Sequence, residues 1–333
     1  MSESGPEAVA ERGPVGPSLI HGGQNMSESG PEKRFDGRVA VVTGAGRGLG
    51  RAYALMLGAR GAKVVVNDIG GSIPGGDVDA GVAGAVAAEI RDAGGDAVSN
   101  ADSVASPEGG RAIIDTALDT YGRVDILIHN AGNVRYAPLA EMSYEDFDSV
   151  LDVHLRGAFH VARAAFPVMR DAGYGRVILT SSIGGLYGNR NVANYAVAKA
   201  GVIGLSNVIA LEGAEHGVKS NVIVPAAVTR LADGLDTSKY PPMEPELVAP
   251  AVGWLAHESC TVSGEMLVAL AGRVARAYIA ETPGVYRPQW SIEDVGEQID
   301  DIRETTDSWL LPVVPSAHSD HIGRSFAMAT GGQ

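Results

Sequence analysis

A doubly wound α/β sheet with helices on both faces is expected from three features of this chain. Short apolar, β-branched runs recur along it, helical stretches separate them, and the first run ends in a glycine-rich turn. Strands that alternate with helices build βαβ units and a parallel sheet. The strands carry no polar alternation because both faces of such a sheet are covered. Gly 44 and 45% hydrophobic content in 333 residues suit an architecture with many tight turns.

The elements run in order from Phe35, where the composition changes. Val39–Thr43 is an apolar strand running into the glycine loop, and Leu49–Arg60 repeats its apolar residues at helical spacing. Lys63–Asn67 (KVVVN) is a second strand. Val78–Ala93 mixes small apolar and charged residues as a helix does, Ala97–Ala101 is a weaker strand, and Arg111–Tyr121 is helical. Val124–Asn130 (VDILIHN) has the continuous apolar character of a strand buried on both faces. Tyr144–Arg170 reads as one long helix, Arg176–Ser181 as a strand, and Asn194–His216 as a helix. Ser220–Pro225 and Glu265–Leu270 bring the sheet to about seven strands.

The ends read differently. Residues 1–34 are rich in Gly, Pro, Ser and Glu and predict a disordered tail. The heptapeptide MSESGPE occurs at Met1–Glu7 and at Met26–Glu32. It is too short and polar to pack, and it reads as a duplicated start region or an alternative initiation at Met26. Residues 35–272 form a single domain, and 273–333 a partly helical extension in which Ile292–Thr305 is amphipathic.

The totals exclude several classes of function. A net charge of −14 argues against nucleic acid as a partner. Cys260, the single cysteine, excludes an internal disulfide and reads as a small buried hydrophobe. No apolar run approaches the ~20 residues that span a bilayer, and a basic, apolar leader is lacking. These features lead to the expectation of a soluble, cytoplasmic protein. His129, His160, His216 and His257 lack ligand-like spacing to acids or cysteines, and no metal site is expected. His318 and His321 have a compatible separation but lie in the extension. The acidic run Glu297–Asp301 reads as a solvated helix face.

The loop Gly44-Ala45-Gly46-Arg47-Gly48-Leu49-Gly50 follows a strand and opens a helix. Glycines let the backbone approach a pyrophosphate, and the helix start offers free N–H groups and a positive dipole end. The second strand ends at Asp68, where a carboxylate can accept both adenosine ribose hydroxyls and repel a 2′-phosphate. Arg47 pulls the other way, since a cation in the loop could pair with that phosphate. Asp68 acts directly at the 2′ position, so NAD is expected over NADP.

Downstream, Tyr195 and Lys199 stand four residues apart on a helix and share a face. A tyrosine ionises near pH ~10, and a neighbouring ammonium favours its phenolate. The pair therefore reads as a proton donor and acceptor.

Together these motifs resemble the short-chain dehydrogenase/reductase family over roughly residues 35–272. The resemblance rests on Thr43–Gly50, Asn130-Ala131-Gly132, Ser182, and Tyr195 with Lys199. It implies a Rossmann-type fold, a homodimer or homotetramer, and a set of roles. Tyr195 would take the substrate's hydroxyl proton, Ser182 would bind the substrate oxygen, and Lys199 would hold the nicotinamide ribose and lower the pKa of Tyr195. Asn130, Ala131 and Gly132 would line the cofactor cleft, with Asp102 and Ser103 near the adenine and Pro225 and Val228 by the carboxamide. The family usually carries Asn where this chain has His154. Two readings stand there, a variant proton relay or a satisfied helix histidine. Pro225-Ala226 replaces a frequent Pro-Gly, with Arg230 near the usual Thr.

The runs Val64–Gly71, Val153–Val161, Tyr187–Lys199 and His257–Cys260 resemble the dehydrogenase unit of type 2 multifunctional enzymes. That implies oxidation of a 3-hydroxyacyl-CoA, with a hydroxysteroid as the alternative. The family's substrate lid would fall between Pro225 and Pro250, where Leu231, Leu235, Tyr240, Pro241, Pro242 and Met243 are apolar. Arg190, Arg230 and Lys239 could meet the phosphates of CoA. Two other classes compete, a catalytically silent nucleotide-binding protein and an assembly module. Intact Ser182, Tyr195 and Lys199 oppose the first, and the tails supply no motif for the second.

Overall fold

All five residues of β1 (Val39–Thr43) are buried, and this strand sits inside the sheet with a partner on each side. The structure is a computed structural model that describes residues 31–71, 79–228 and 241–331. The chain divides into a unit Met1–Glu32 and a unit Lys33–Gln333, and the sheet with its helices belongs to the second. The repeat and most of the expected tail lie outside the described residues, as do Arg230, Leu231, Leu235, Lys239 and Tyr240.

After β1 the chain runs through α1 (Gly48–Ala59), β2 (Lys63–Asn67), α2 (Ala80–Asp92), β3 (Asp96–Asn100), α3 (Pro107–Tyr121) and β4 (Ile126–His129). It continues with α4 (Tyr144–Leu151), α5 (Gly157–Asp171), β5 (Gly175–Thr180), α6 (Ile183–Tyr187), α7 (Ala193–Gly213) and β6 (Val218–Ala226). Then come α8 (Ala249–Ala256), β7 (Met266–Leu270), β8 (Arg273–Ala277), α9 (Ile292–Glu297), α10 (Ile299–Ile302) and α11 (Ala317–Ala329). The strand order is β3-β2-β1-β4-β5-β6-β7-β8. β1 pairs in parallel with β2 and with β4, so the order reverses between β1 and β4. A crevice opens beyond the strand ends at such a reversal. One apolar cluster joins the sheet to α1, α2 and α8, and a second joins its other face to α3, α5 and α7.

Three features differ from the sequence expectation. The sheet has eight strands, because β8 folds back antiparallel on β7. Ala271 (φ 47°) and Gly272 (φ 77°) form the connection, and left-handed residues at both positions match the twist of a two-residue hairpin. The expected boundary at residue 272 thus falls inside a hairpin.

The expected helix Tyr144–Arg170 is broken into α4 and α5 by a π-helical turn, Asp152–Arg156. Such a turn inserts a residue and rotates α5 relative to α4. His154 sits in this turn, buried. The apolar pattern runs on through the break, which is why periodicity alone reads it as continuous. Finally, α8 and α11 were not expected, and the Ile292–Thr305 stretch is two short helices rather than one.

Ala193–His216 is long and apolar enough to cross a membrane by composition. Its apolar character belongs to packing: α7 buries Ala198, Val202, Ile209 and Ala210 and packs against β5 and β6.

Candidate active site

The crevice between β1 and β4 is a cleft of about 470 Å³. Its floor begins with Gly44, whose φ of 62° is left-handed and where a Cβ would stand 2.7 Å from Ala131 Cα. Only glycine meets both demands. Asn130 Nδ2 donates to Gly44 O at 3.1 Å and locks the two loops together. Among the described residues no side chain caps the start of α1, which has no acidic residue in its first turn. Its free N–H groups therefore face the cleft, the arrangement that holds a phosphate. These residues fit a dinucleotide.

Asp68 does more than the sequence suggests. Its Oδ2 accepts the Gly46 N–H at 2.9 Å and its Oδ1 accepts the Gly70 N–H at 2.7 Å. The carboxylate builds the glycine loop and still has lone pairs toward the cleft. Arg47 is exposed at the cleft edge. Asp102 accepts from Asn100 Nδ2 at 2.7 Å and lines the cleft with Ser103.

Thr43 and His129, neither of them expected as a site residue, hold β1 to β4 at this point. Thr43 Oγ1 accepts the N–H groups of Asn130 (3.1 Å) and Ala131 (3.2 Å). Its proton is then left for His129 Nδ1, 3.0 Å away. The imidazole proton of His129 therefore resides on Nε2. Burial pushes its pKa down to about 3, with the Lys199 charge adding to the effect and the carbonyls of Val153 and His154 opposing it. A threonine directly before the glycine loop was the available signal for Thr43. For His129 there was none.

The π-turn brings His154 to the cleft wall, edge-on to Tyr195 with ring centroids 5.2 Å apart. His154 Nε2 lies 2.7 Å from Asn133 O and 3.1 Å from Asn133 N. One nitrogen serves one of these, and the shorter contact makes it a donor to the carbonyl. Nδ1 is buried without a partner among the described residues. Burial first, then Lys199, holds the His154 pKa well below the imidazole range, so it is neutral.

Tyr195 and Lys199 share the inner face of α7. Lys199 Nζ donates to Thr180 O at 2.7 Å and lies 5.6 Å from the Tyr195 ring centre. Burial pushes the Lys199 pKa down to about 7. The Tyr195 pKa is raised, chiefly by burial, while a hydrogen bond with Ser182 pulls it down and Tyr136 pushes it up. Burial therefore sets the direction for Tyr195, where the sequence led to the expectation that Lys199 lowers it. Ser182 Oγ also accepts the Gly184 N–H at 3.1 Å, capping α6.

The structure gathers most of the expected residues. Gly44, Arg47, Gly48 and Leu49 line the cleft from one side, and Asn130, Ala131, Gly132 and Pro225 from the other. Gly46 and Gly50 do not line it. Gly46 is covered by Val82 and Asp68, while Gly50 packs on Gly44 O. Val228 does not line it either, and its N–H is spent on Met243 O at 2.8 Å. Asn67, Ile69, Asn133 and Thr180 are lining residues that were not among the expected site residues.

A glycine cradle at a sheet reversal, facing a Ser–Tyr–Lys set, defines a nucleotide-dependent oxidoreductase. The family model described as short chain dehydrogenase matches residues 38–234. This chain belongs to that family. It is 47% identical over 271 residues to the peroxisomal multifunctional enzyme type 2 of Drosophila melanogaster, covering 81% of this chain and 44% of that enzyme. A short-chain type dehydrogenase/reductase of Mycobacterium tuberculosis is 45% identical over 260 residues, covering 78% of this chain and 91% of that protein. The full-length structure of the Drosophila enzyme superposes with a TM-score of 0.73 at 36% identity, covering 89% of this chain and 50% of that one. The chain therefore spans about half the length, or less, of the Drosophila and mouse multifunctional enzymes it matches.

The expected cytoplasmic location is overturned by these relatives, which are named as peroxisomal enzymes in Drosophila melanogaster, Mus musculus and Saccharomyces cerevisiae. One cysteine reports on disulfide use and cannot choose between reducing compartments.

Proposed function

We propose that this chain is a NAD-dependent dehydrogenase for 3-hydroxyacyl-CoA thioesters, working in the peroxisomal setting of its multifunctional relatives. The observation that carries the reading is Tyr195 at the cleft wall beside Lys199, which is buried and donates to Thr180 O. A bound nicotinamide dinucleotide would supply the hydride acceptor. Ser182 would hold the substrate oxygen, and Tyr195 would take its proton as the ketone forms. Lys199 would place a positive charge under the developing phenolate. Asp68 supports NAD, since a 2′-phosphate would meet its carboxylate.

Arg190 is exposed and would offer a cation to the phosphates of CoA, which a chain of net charge −14 otherwise repels. Phe159 on α5 and Val197 and Val208 on α7 are each close to half exposed, which supports a homo-oligomer.

The test monitors NADH absorbance with 3-hydroxyacyl-CoA and hydroxysteroid substrates. Tyr195→Phe should retain cofactor and lose about 10²–10⁴-fold in turnover. The KM for the thioester should rise with ionic strength as charges are screened. Near-normal turnover by the Phe variant would place the proton transfer elsewhere. Turnover of steroids with none of any thioester would remove the substrate assignment.

A further inference from the structure

The two strands that flank the cleft end on a hydrogen-bonded pair of side chains. β1 and β4 run parallel with Thr43 opposite His129, so both side chains leave the sheet on the same face. Both are buried, and His129 is not among the residues that line the cleft. Any effect of the imidazole on cofactor binding passes through another residue.

That residue is Thr43. Asn130 and Ala131, which do line the cleft, both direct their N–H groups at Thr43 Oγ1, at 3.1 and 3.2 Å. A hydroxyl has two lone pairs and one proton. Accepting both amides occupies both lone pairs, and the proton has to leave in a third direction. His129 Nδ1 stands there, 3.0 Å away. The bonds continue on the far side of the loop, where Asn130 Nδ2 donates to the carbonyl of Gly44, the left-handed glycine of the cleft floor.

The rest of β4 is apolar, Ile126-Leu127-Ile128, and an apolar side chain at 129 would extend the same core. It would also leave the Thr43 proton in a buried place without an acceptor, which is costly. The hydroxyl could then recover a bond only by rotating, and rotation takes a lone pair from Asn130 or Ala131. Because burial holds the ring neutral down to about pH 3, Nδ1 stays an acceptor throughout the neutral range.

We propose that His129 is a positioning residue for the dinucleotide: by accepting the Thr43 proton it fixes that hydroxyl as a double acceptor for the loop Asn130–Ala131, and so preorganises the cleft wall facing Gly44. A wall ordered in advance spares the ligand the cost of ordering it. The assignment is independent of the acyl substrate and applies to either nicotinamide dinucleotide.

The experiment measures dissociation constants of NADH and NADPH, by fluorescence, for the full-length protein and for His129→Asn, His129→Leu and His129→Gln. Asparagine carries a carbonyl oxygen where Nδ1 stands, glutamine one bond further out, and leucine has none. The Asn variant should bind like the unaltered protein. The Leu and Gln variants should each lose about 10-fold, by the same factor for both dinucleotides. In a Thr43→Val background, His129→Leu should add no further loss, because the proton it serves is gone. The ¹⁵N spectrum of the unaltered protein should show His129 protonated on Nε2 and bare on Nδ1 from pH 6 to 9.

Full affinity in the Leu and Gln variants overturns the assignment, as does an Asn variant as weak as Leu. Losses that add to that of Thr43→Val overturn it too, and so does a proton on Nδ1. Should the Leu variant not fold, Gln and Asn decide between themselves. Tighter NADPH than NADH binding by the unaltered protein would remove the NAD reading and leave this comparison intact. Binding of neither would end both.

Discussion

At the scale of single residues, the site is shaped by what each group excludes. A Cβ on Gly132 would stand 2.4 Å from Cε1 of His154, and the ring is buried and cannot retreat. Gly132→Ala should therefore cost roughly 1–3 kcal/mol and weaken cofactor binding. Combining it with His154→Ala should cost less than the two changes summed, as a double-mutant cycle on thermal midpoints would show. Lys199 gives a second prediction. Its pKa falls from 10.5 in the unfolded chain to about 7 when folded, so between those values the unfolded state binds the extra proton. Stability then rises with pH across that window, and below it the full cost of burying the ammonium applies. Lys199→Met should abolish turnover yet raise the thermal midpoint at pH 7. The gain should shrink as pH climbs toward 10, and a gain independent of pH would contradict this account. Tyr195 and Lys199 are legible in the sequence because spacing along a helix fixes a shared face, whereas Ser182 comes only from the family resemblance. Their protonation is not legible, because it depends on how deeply α7 sinks into the sheet.

Among the elements, the strands were read nearly to the residue, since a run such as Ile126–His129 is apolar on both faces. The π-turn at Asp152–Arg156 and strand β8 were not. The first leaves the apolar period intact, and the second begins after a turn whose left-handed first residue is Ala271, a poor turn signal. That alanine is also a weak point. Ala271→Asn should stabilise the protein by about 1 kcal/mol, because asparagine tolerates the left-handed region and favours this hairpin. Chemical denaturation should show a higher midpoint at an unchanged slope. A lower midpoint would mean that the two-residue turn is not what joins β7 to β8.

For the molecule as a whole, the sheet is apolar in the middle and polar at its margins. β1, β4 and β5 are wholly buried. The marginal strands β3 and β8 carry Asp96, Asn100, Arg273 and Arg276. Charged, short edges resist pairing with other chains. The margin on the β8 side is also the last strand of the sheet to be synthesised. Until it folds back, a growing chain ends its sheet in Met266-Leu267-Val268-Ala269-Leu270, an edge with few charges to repel a neighbour. Chains stopped at Gly272 should therefore aggregate where chains that reach Ala280 stay soluble, as sedimentation of expressed fragments would reveal. Synonymous codons that slow translation just after Leu270 should lower the soluble yield by the same route. The finished enzyme would be unaltered, so the cost of such a silent change would lie entirely in the time the ribosome leaves that edge open.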